Sequence, residues 1–213
     1  MTRYFVVVAG NIGAGKTALA KLMAARLGWD DFHESVDDNP YLADFYHDMK
    51  AWSFHLQVFF LGHRAKVHRY LATQHPTSAV LDRSIYEDAE IFARALHDLS
   101  NLNERDLRAY RSVYDEVIAH LPAPNLMIYL RASVPTLLGR IHKRARGMET
   151  GITEDYLSLL NSFYEQWLQH FDLCPVLTIP SDDLDFVARE QHLTIIVNRV
   201  LDRLKGKEEI RFQ

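Results

Sequence analysis

The sequence predicts an α/β fold: a doubly wound central parallel β-sheet of about five strands, flanked by α-helices. Three observations predict it. Short apolar segments alternate with longer, helix-periodic ones along the whole chain. The first apolar segment, Tyr4-Phe5-Val6-Val7-Val8-Ala9, runs directly into Gly10-Asn11-Ile12-Gly13-Ala14-Gly15-Lys16-Thr17. That octapeptide has the form G-x-x-x-x-G-K-[ST] and opens a segment carrying Leu19, Leu22, Met23 and Leu27 at helical spacing.

Taken in order, the strand candidates are 4–9, a short piece near 32–34, 78–81, 126–130 and 175–179. They are short, apolar and evenly buried rather than alternating, as strands covered on both faces are. Helical stretches fill the intervals at 16–27, roughly 40–75, 84–98, 103–120, 134–146, 153–171 and 186–204. No repeat, low-complexity segment or linker divides the chain, so residues 1–213 read as a single domain ending in a polar tail.

Bulk composition narrows the class. At 213 residues, with 48% hydrophobic and 24% charged residues, the chain can bury a substantial core. Its formal net charge of −4 argues against nucleic-acid or anionic-membrane partners. One cysteine, Cys174, excludes an internal disulfide and a thiolate zinc site. No apolar run reaches the ~18–20 residues that span a bilayer, and no signal-peptide pattern is present. The expectation is a cytoplasmic enzyme.

The glycines at 10, 13 and 15 let the backbone curl so that its N–H groups face an anion, and the following helix adds its positive end. Lys16 can reach the outer phosphates of a nucleotide, and the Thr17 hydroxyl can join the shell of Mg2+. In a doubly wound sheet, ligands bind beyond the carboxyl ends of the strands. Two further strand ends therefore share the rim: His33-Glu34 after the second strand and Asp82-Arg83-Ser84 after the third. Asp82 stands where a second magnesium-binding carboxylate belongs. Arg83 can hold the acceptor or the moving phosphoryl group, and Glu34 can take a proton from a substrate hydroxyl. The stretch 140–149 carries Arg140, Lys143, Arg144 and Arg146 in a chain of negative net charge, which suits an Arg-rich lid over phosphates, spanning approximately 140–152. Aromatic residues crowd 45–60, where Tyr46, Trp52 and Gln57 could line a pocket for a flat heterocycle. None of the eleven histidines stands at metal-site spacing.

These motifs, together with Tyr46 followed by Gln57, the run Asp82-Arg83-Ser84-Ile85-Tyr86, and Arg140, Arg144, Arg146, Glu149, Gly151 and Ile152, resemble the deoxynucleoside kinases. The likeness runs from the P-loop to about residue 186. It implies the P-loop kinase fold and ATP-dependent, Mg2+-dependent 5′-phosphorylation of a deoxynucleoside in nucleotide salvage. It implies that Glu34 is the base on the 5′-hydroxyl and that Arg83 contacts that hydroxyl and the phosphoryl group. Asp82 assists magnesium, where many relatives have Glu. Tyr46 and Glu149 bind the 3′-hydroxyl, and Gln57 pairs with the nucleobase edge. Arg140, Arg144 and Arg146 are the lid arginines, and Asp185-Phe186 receive the adenine of the donor. Asn39-Pro40-Tyr41-Leu42 is similar to bacterial purine-directed members, whereas Ser35 replaces a proline common among relatives. Relatives form homodimers by packing long helices, and helix 84–97 (Ile85, Ile91, Phe92, Leu96) would serve.

In that family, Arg64 with Asp88 goes with cytosine and purine acceptors. A charged pair across the base edge leaves little room for a 5-methyl group, and its unsatisfied polar groups would cost ~1–3 kcal/mol each against thymine. Deoxyadenosine is favoured, with deoxycytidine or deoxyguanosine possible and thymidine poor. The competing readings are a thymidylate-kinase-like nucleoside monophosphate kinase, a GTPase-like switch, and a catalytically inactive kinase-fold subunit. The first would place Glu34 against the acceptor's own phosphate. The second lacks its Asn-Lys-x-Asp guanine motif, and the third would not need Lys16, Thr17, Glu34, Asp82 and Arg83 together.

Overall fold

The computed structural model describes residues 2–33, 39–144 and 151–206. Five parallel strands lie in the order β2-β3-β1-β4-β5: β1 (Phe5–Gly10), β2 (Asp30–Phe32), β3 (Ala79–Asp82), β4 (Leu126–Arg131) and β5 (Val176–Pro180). β1 is central and wholly buried. Its side chains alternate between the two layers, as the pleat requires. Val6 and Val8 enter a core shared with Leu19 and Met23 of α1 (Lys16–Leu27). Phe5, Val7 and Ala9 enter the opposite core.

That second core is built on α2 (Leu42–His47), α3 (Met49–Thr73), the rod after β3, and α6 (Glu104–Ala119). The rod consists of α4 (Ile85–Glu87), a π-helical stretch Asp88–Ala93, and α5 (Arg94–Asp98). On the first face, α7 (Val134–Arg144) and α9 (Glu190–Leu204) cover the sheet, and α8 (Glu154–Leu168) packs against the rod.

Four expectations are corrected. The stretch 40–75 is two helices: Asp48 leaves the helical region at φ −144° and ψ 88°, and its carboxylate caps Ala51 N–H at 3.0 Å. The second strand lies two residues earlier than the sequence suggests. Asp30 and Asp31 are exposed on this edge strand, so neither its position nor its polarity matches a strand covered on both faces. The last helix begins at Glu190, because Asp185 Oδ1 accepts from Val187 and Ala188 N–H and holds that segment in a turn. Finally, Ile85, Ile91 and Leu96 lie in this chain's own core and Phe92 packs beside it, so the apolar face expected to meet a partner is already covered.

Candidate active site

The strand order reverses on either side of β1, and the crevice beyond its carboxyl end carries the P-loop. Gly13 and Gly15 adopt φ of 84° and 100°, the left-handed region. A Cβ on Gly13 would meet the Leu137 carbonyl oxygen at 2.9 Å, and one on Gly15 would lie 3.1 Å from the Phe186 ring. Glycine is therefore required for α7 and the segment after β5 to close on the loop. Gly15 is also the N-cap of α1, so the first amides of that helix open toward the loop.

Lys16 is buried, and its ammonium donates to the carbonyl oxygens of Gly10 and Asn11 at 2.7 and 3.0 Å. Burial first, and then the charges of Arg83 and Arg144, pull its pKa down to about 7, against the opposing pull of Asp82 and Glu87. A cation so placed gains from the arrival of a polyanion.

Thr17 donates from its hydroxyl to Asp82 Oδ2 at 2.5 Å, while Asp82 Oδ1 is buried without a hydrogen-bond partner. One hydroxyl and one carboxylate with a spare oxygen make a hard donor set. It suits Mg2+, which takes few protein ligands beside phosphates and water. Among the described residues, no group of three or more His, Cys, Asp or Glu forms a metal cage.

Arg83 adopts φ 73°, rare for a residue with a Cβ. Its N–H donates to Val8 O at 3.0 Å, and its guanidinium lies 4.2 Å from the centroid of the Phe92 ring. Behind this corner sits Glu87, which the sequence reading did not single out. It is fully buried and accepts from Gly10 N–H, the Tyr164 hydroxyl, and both the N–H and hydroxyl of Ser84. Ser84-x-x-Glu87 is capping-box spacing, so that half was legible. Tyr164 lies 77 residues away, and no local pattern announces it.

On the acceptor side, Arg64 Nε and Asp88 Oδ2 form a buried ion pair at 2.7 Å. Asp88 opens the π-helical stretch, a rare geometry that often marks functional sites. Gln57, one face of α3 with Arg64, is buried and its Oε1 has no hydrogen-bond partner. Tyr46 is half exposed on α2. Tyr156 is its neighbour: burial raises the Tyr156 pKa, and the charges of Arg83 and Tyr46 both act on it.

On the donor side, Arg140 donates to Ala14 O at 3.0 Å and to Ser181 Oγ and O at 3.2 and 2.5 Å. It thus pins α7 and the segment after β5 to the P-loop. Arg144 ends α7, and its charge reaches Lys16. Phe186 is buried with its ring edge at Gly15, and Asp185 anchors the turn beside it. Glu34, Arg146 and Glu149, and with them the middle of the expected lid, lie outside the described residues.

A parallel sheet with this loop, a buried lysine and a Thr–Asp pair on one rim defines a P-loop phosphotransferase. A family model described as deoxynucleoside kinase matches residues 6–205. The chain is 38% identical over 197 residues to the deoxyadenosine/deoxycytidine kinase of Bacillus subtilis (strain 168), covering 92% of this chain and 90% of that protein. It is 36% identical over 215 residues to a deoxyguanosine kinase of Lactobacillus johnsonii, covering 96% and 95%. Among solved structures, it resembles the deoxyadenosine kinase of M. mycoides with bound dATP at a TM-score of 0.79 and 30% identity, covering 92% of this chain and 99% of that one. The same M. mycoides enzyme with dCMP and dCDP bound gives a TM-score of 0.80 at 30% identity, covering 93% and 98%.

The chain belongs to the deoxynucleoside kinase family. It is an enzyme that transfers a phosphoryl group from a nucleoside triphosphate to a deoxynucleoside. This decides against the monophosphate-kinase and GTPase readings. No helix among the described residues is long and apolar enough to cross a membrane.

Proposed function

We propose that the enzyme phosphorylates the 5′-hydroxyl of deoxyadenosine in preference to other deoxynucleosides, with deoxycytidine and deoxyguanosine as lesser acceptors, thymidine poor, and ATP as donor. The observation that carries this reading is the buried Arg64–Asp88 pair beside a Gln57 whose Oε1 lacks a partner. An unsatisfied buried amide oxygen costs ~1–3 kcal/mol, which a base edge that donates to it would recover. The exocyclic amino groups of adenine and cytosine are such donors. Thymine offers a 4-oxo group and a 5-methyl in their place, the first poorly matched to Asp88 and the second to the space the pair leaves. The M. mycoides relative, a deoxyadenosine kinase solved with dATP and with dCTP, supports the same pairing of bases.

In this mechanism the P-loop amides and Lys16 bind the donor phosphates. Thr17 and Asp82 would hold Mg2+, which would supply charge neutralisation at the phosphates. Tyr46 and Glu149 hold the 3′-hydroxyl, and Gln57 the base. Glu34 takes the proton of the 5′-hydroxyl, the 5′-oxygen bonds to the γ-phosphorus, and the bond to the β,γ-bridging oxygen breaks to release ADP. Arg83, with Arg144 and Arg146 from the lid, faces the charge on the moving group. Arg140 holds the lid to the P-loop, and Asp185-Phe186 receive the donor's adenine. The protein works as a cytoplasmic homodimer.

Glu34→Gln tests the base. It should lower kcat by ~10²–10⁴-fold while ATP affinity, read by calorimetry, stays within a few-fold of wild type. Turnover at the wild-type rate would reassign the base.

A further inference from the structure

Glu87 is fully buried, and no step proposed above uses it. Its Oε1 accepts from Gly10 N–H at 3.1 Å and from the Tyr164 hydroxyl at 2.6 Å. Its Oε2 accepts from the N–H and hydroxyl of Ser84 at 2.7 and 3.0 Å. Capping the helix after β3 requires only the Ser84 half of this set. The other half reaches the end of β1 and the middle of α8.

Gly10 is held at both ends. Its N–H goes to Glu87, its carbonyl oxygen accepts from Lys16 Nζ at 2.7 Å, and the one Tyr164 hydroxyl proton is shared between that carbonyl at 2.8 Å and Glu87 Oε1 at 2.6 Å. On the far side, Ser84 directly follows Arg83, whose left-handed backbone persists only where the surroundings over-determine it. One carboxylate thus fixes the residue that positions Lys16 and the residue that follows Arg83.

We propose that Glu87 is a positioning residue that ties the P-loop to the Asp82-Arg83-Ser84 corner and thereby sets Lys16 and Arg83 at the spacing one transferred phosphoryl group requires. This rests on the roles proposed above for Lys16 and Arg83.

Glu87→Gln is the test, because either orientation of an amide sets its NH2 against a backbone N–H, that of Gly10 or that of Ser84. The expected result is a ~10–100-fold fall in kcat per folded molecule. KM for ATP should also rise, by ~3-fold or more, while KM for the deoxynucleoside stays close to wild type. A role confined to helix capping leaves both unchanged once folded fraction is corrected, and that result would overturn the proposal. Tyr164→Phe removes only the hydroxyl and carries the test if Glu87→Gln does not fold: kcat should fall by roughly 3–10-fold, and wild-type kcat would overturn the proposal. Lys16→Met and Arg83→Ala in the same assay separate the two levels. If both retain wild-type turnover, the roles of Lys16 and Arg83 fail. If both are inactive while the Glu87 and Tyr164 variants behave as wild type, only the positioning role fails.

Discussion

Lys16→Met should lower kcat/KM for ATP by on the order of 10²–10³-fold and, at neutral pH, raise the thermal stability of the free protein. The two effects have one cause. In the free enzyme the ammonium donates to the carbonyls of Gly10 and Asn11, and burial first, then the charge of Arg83, hold its pKa at about 7. The unfolded chain holds that proton up to a lysine's ordinary pKa near ~10.4. Folding therefore carries a penalty that is present in full below about pH 7. Between that value and the unfolded pKa the unfolded state binds more protons, so the stability of the wild-type protein rises with pH across this window.

Methionine fills the same channel without charge and should flatten that rise. Donor phosphates favour the protonated lysine, so ATP binding by the wild type should take up a proton above pH 7, with affinity falling as pH climbs. Calorimetry in buffers of different ionisation enthalpy reads the uptake, and thermal melts read the stability. A Met variant that is both less stable and undiminished in kcat/KM would contradict the assignment.

Asp88→Ala should be the most destabilising single change in the acceptor pocket. The Arg64 guanidinium is buried, and its ion pair with Asp88 at 2.7 Å would be lost. Breaking a buried pair from one side costs about 3–5 kcal/mol, a large share of the ~5–15 kcal/mol that holds a typical domain together. The expected fall in Tm is roughly 10 °C. Removing both charges, as in Arg64→Met with Asp88→Ala, should recover most of that stability, because an apolar replacement of a buried pair is often neutral. The double variant also clears space beside the base, so the ratio of thymidine to deoxyadenosine kcat/KM should rise by ~10-fold or more. A single variant with wild-type Tm and selectivity would show that the pair neither holds the pocket nor reads the base.

What the sequence makes legible is local. The P-loop and β1 stand out because glycines, lysine and an apolar run are contiguous. Asp82 and Arg83 stand out because they directly follow the third apolar run. β2 is hard to place from sequence because Asp30 and Asp31 lie on an exposed edge, where a strand needs no apolar pattern. The break at Asp48 hides inside a continuous helix-forming stretch, visible only as a capping aspartate.

Tertiary contacts were out of reach. Arg140 reads as one more lid cation, yet it binds Ala14 O and Ser181, contacts distant in sequence that no local pattern announces. Glu87 goes unremarked in the sequence, because only its spacing from Ser84 is local and its other oxygen faces Gly10 and Tyr164. The apolar face of the rod after β3 reads as an interface, yet Ile85 and Ile91 are wholly buried within this chain. A helix pattern reports that a face is covered, not by what.

The most direct test of the account is a phosphorylation panel at equal, limiting concentrations of deoxyadenosine, deoxyguanosine, deoxycytidine and thymidine, with dAMP and dTMP run beside them and ATP in excess. The predicted result is highest kcat/KM for deoxyadenosine, measurable turnover of deoxycytidine and deoxyguanosine, thymidine lower by ~10-fold or more, and no transfer to either monophosphate. Thymidine matching or exceeding deoxyadenosine would contradict the reading of Gln57, Arg64 and Asp88, and a preference for the monophosphates would contradict the assigned acceptor altogether.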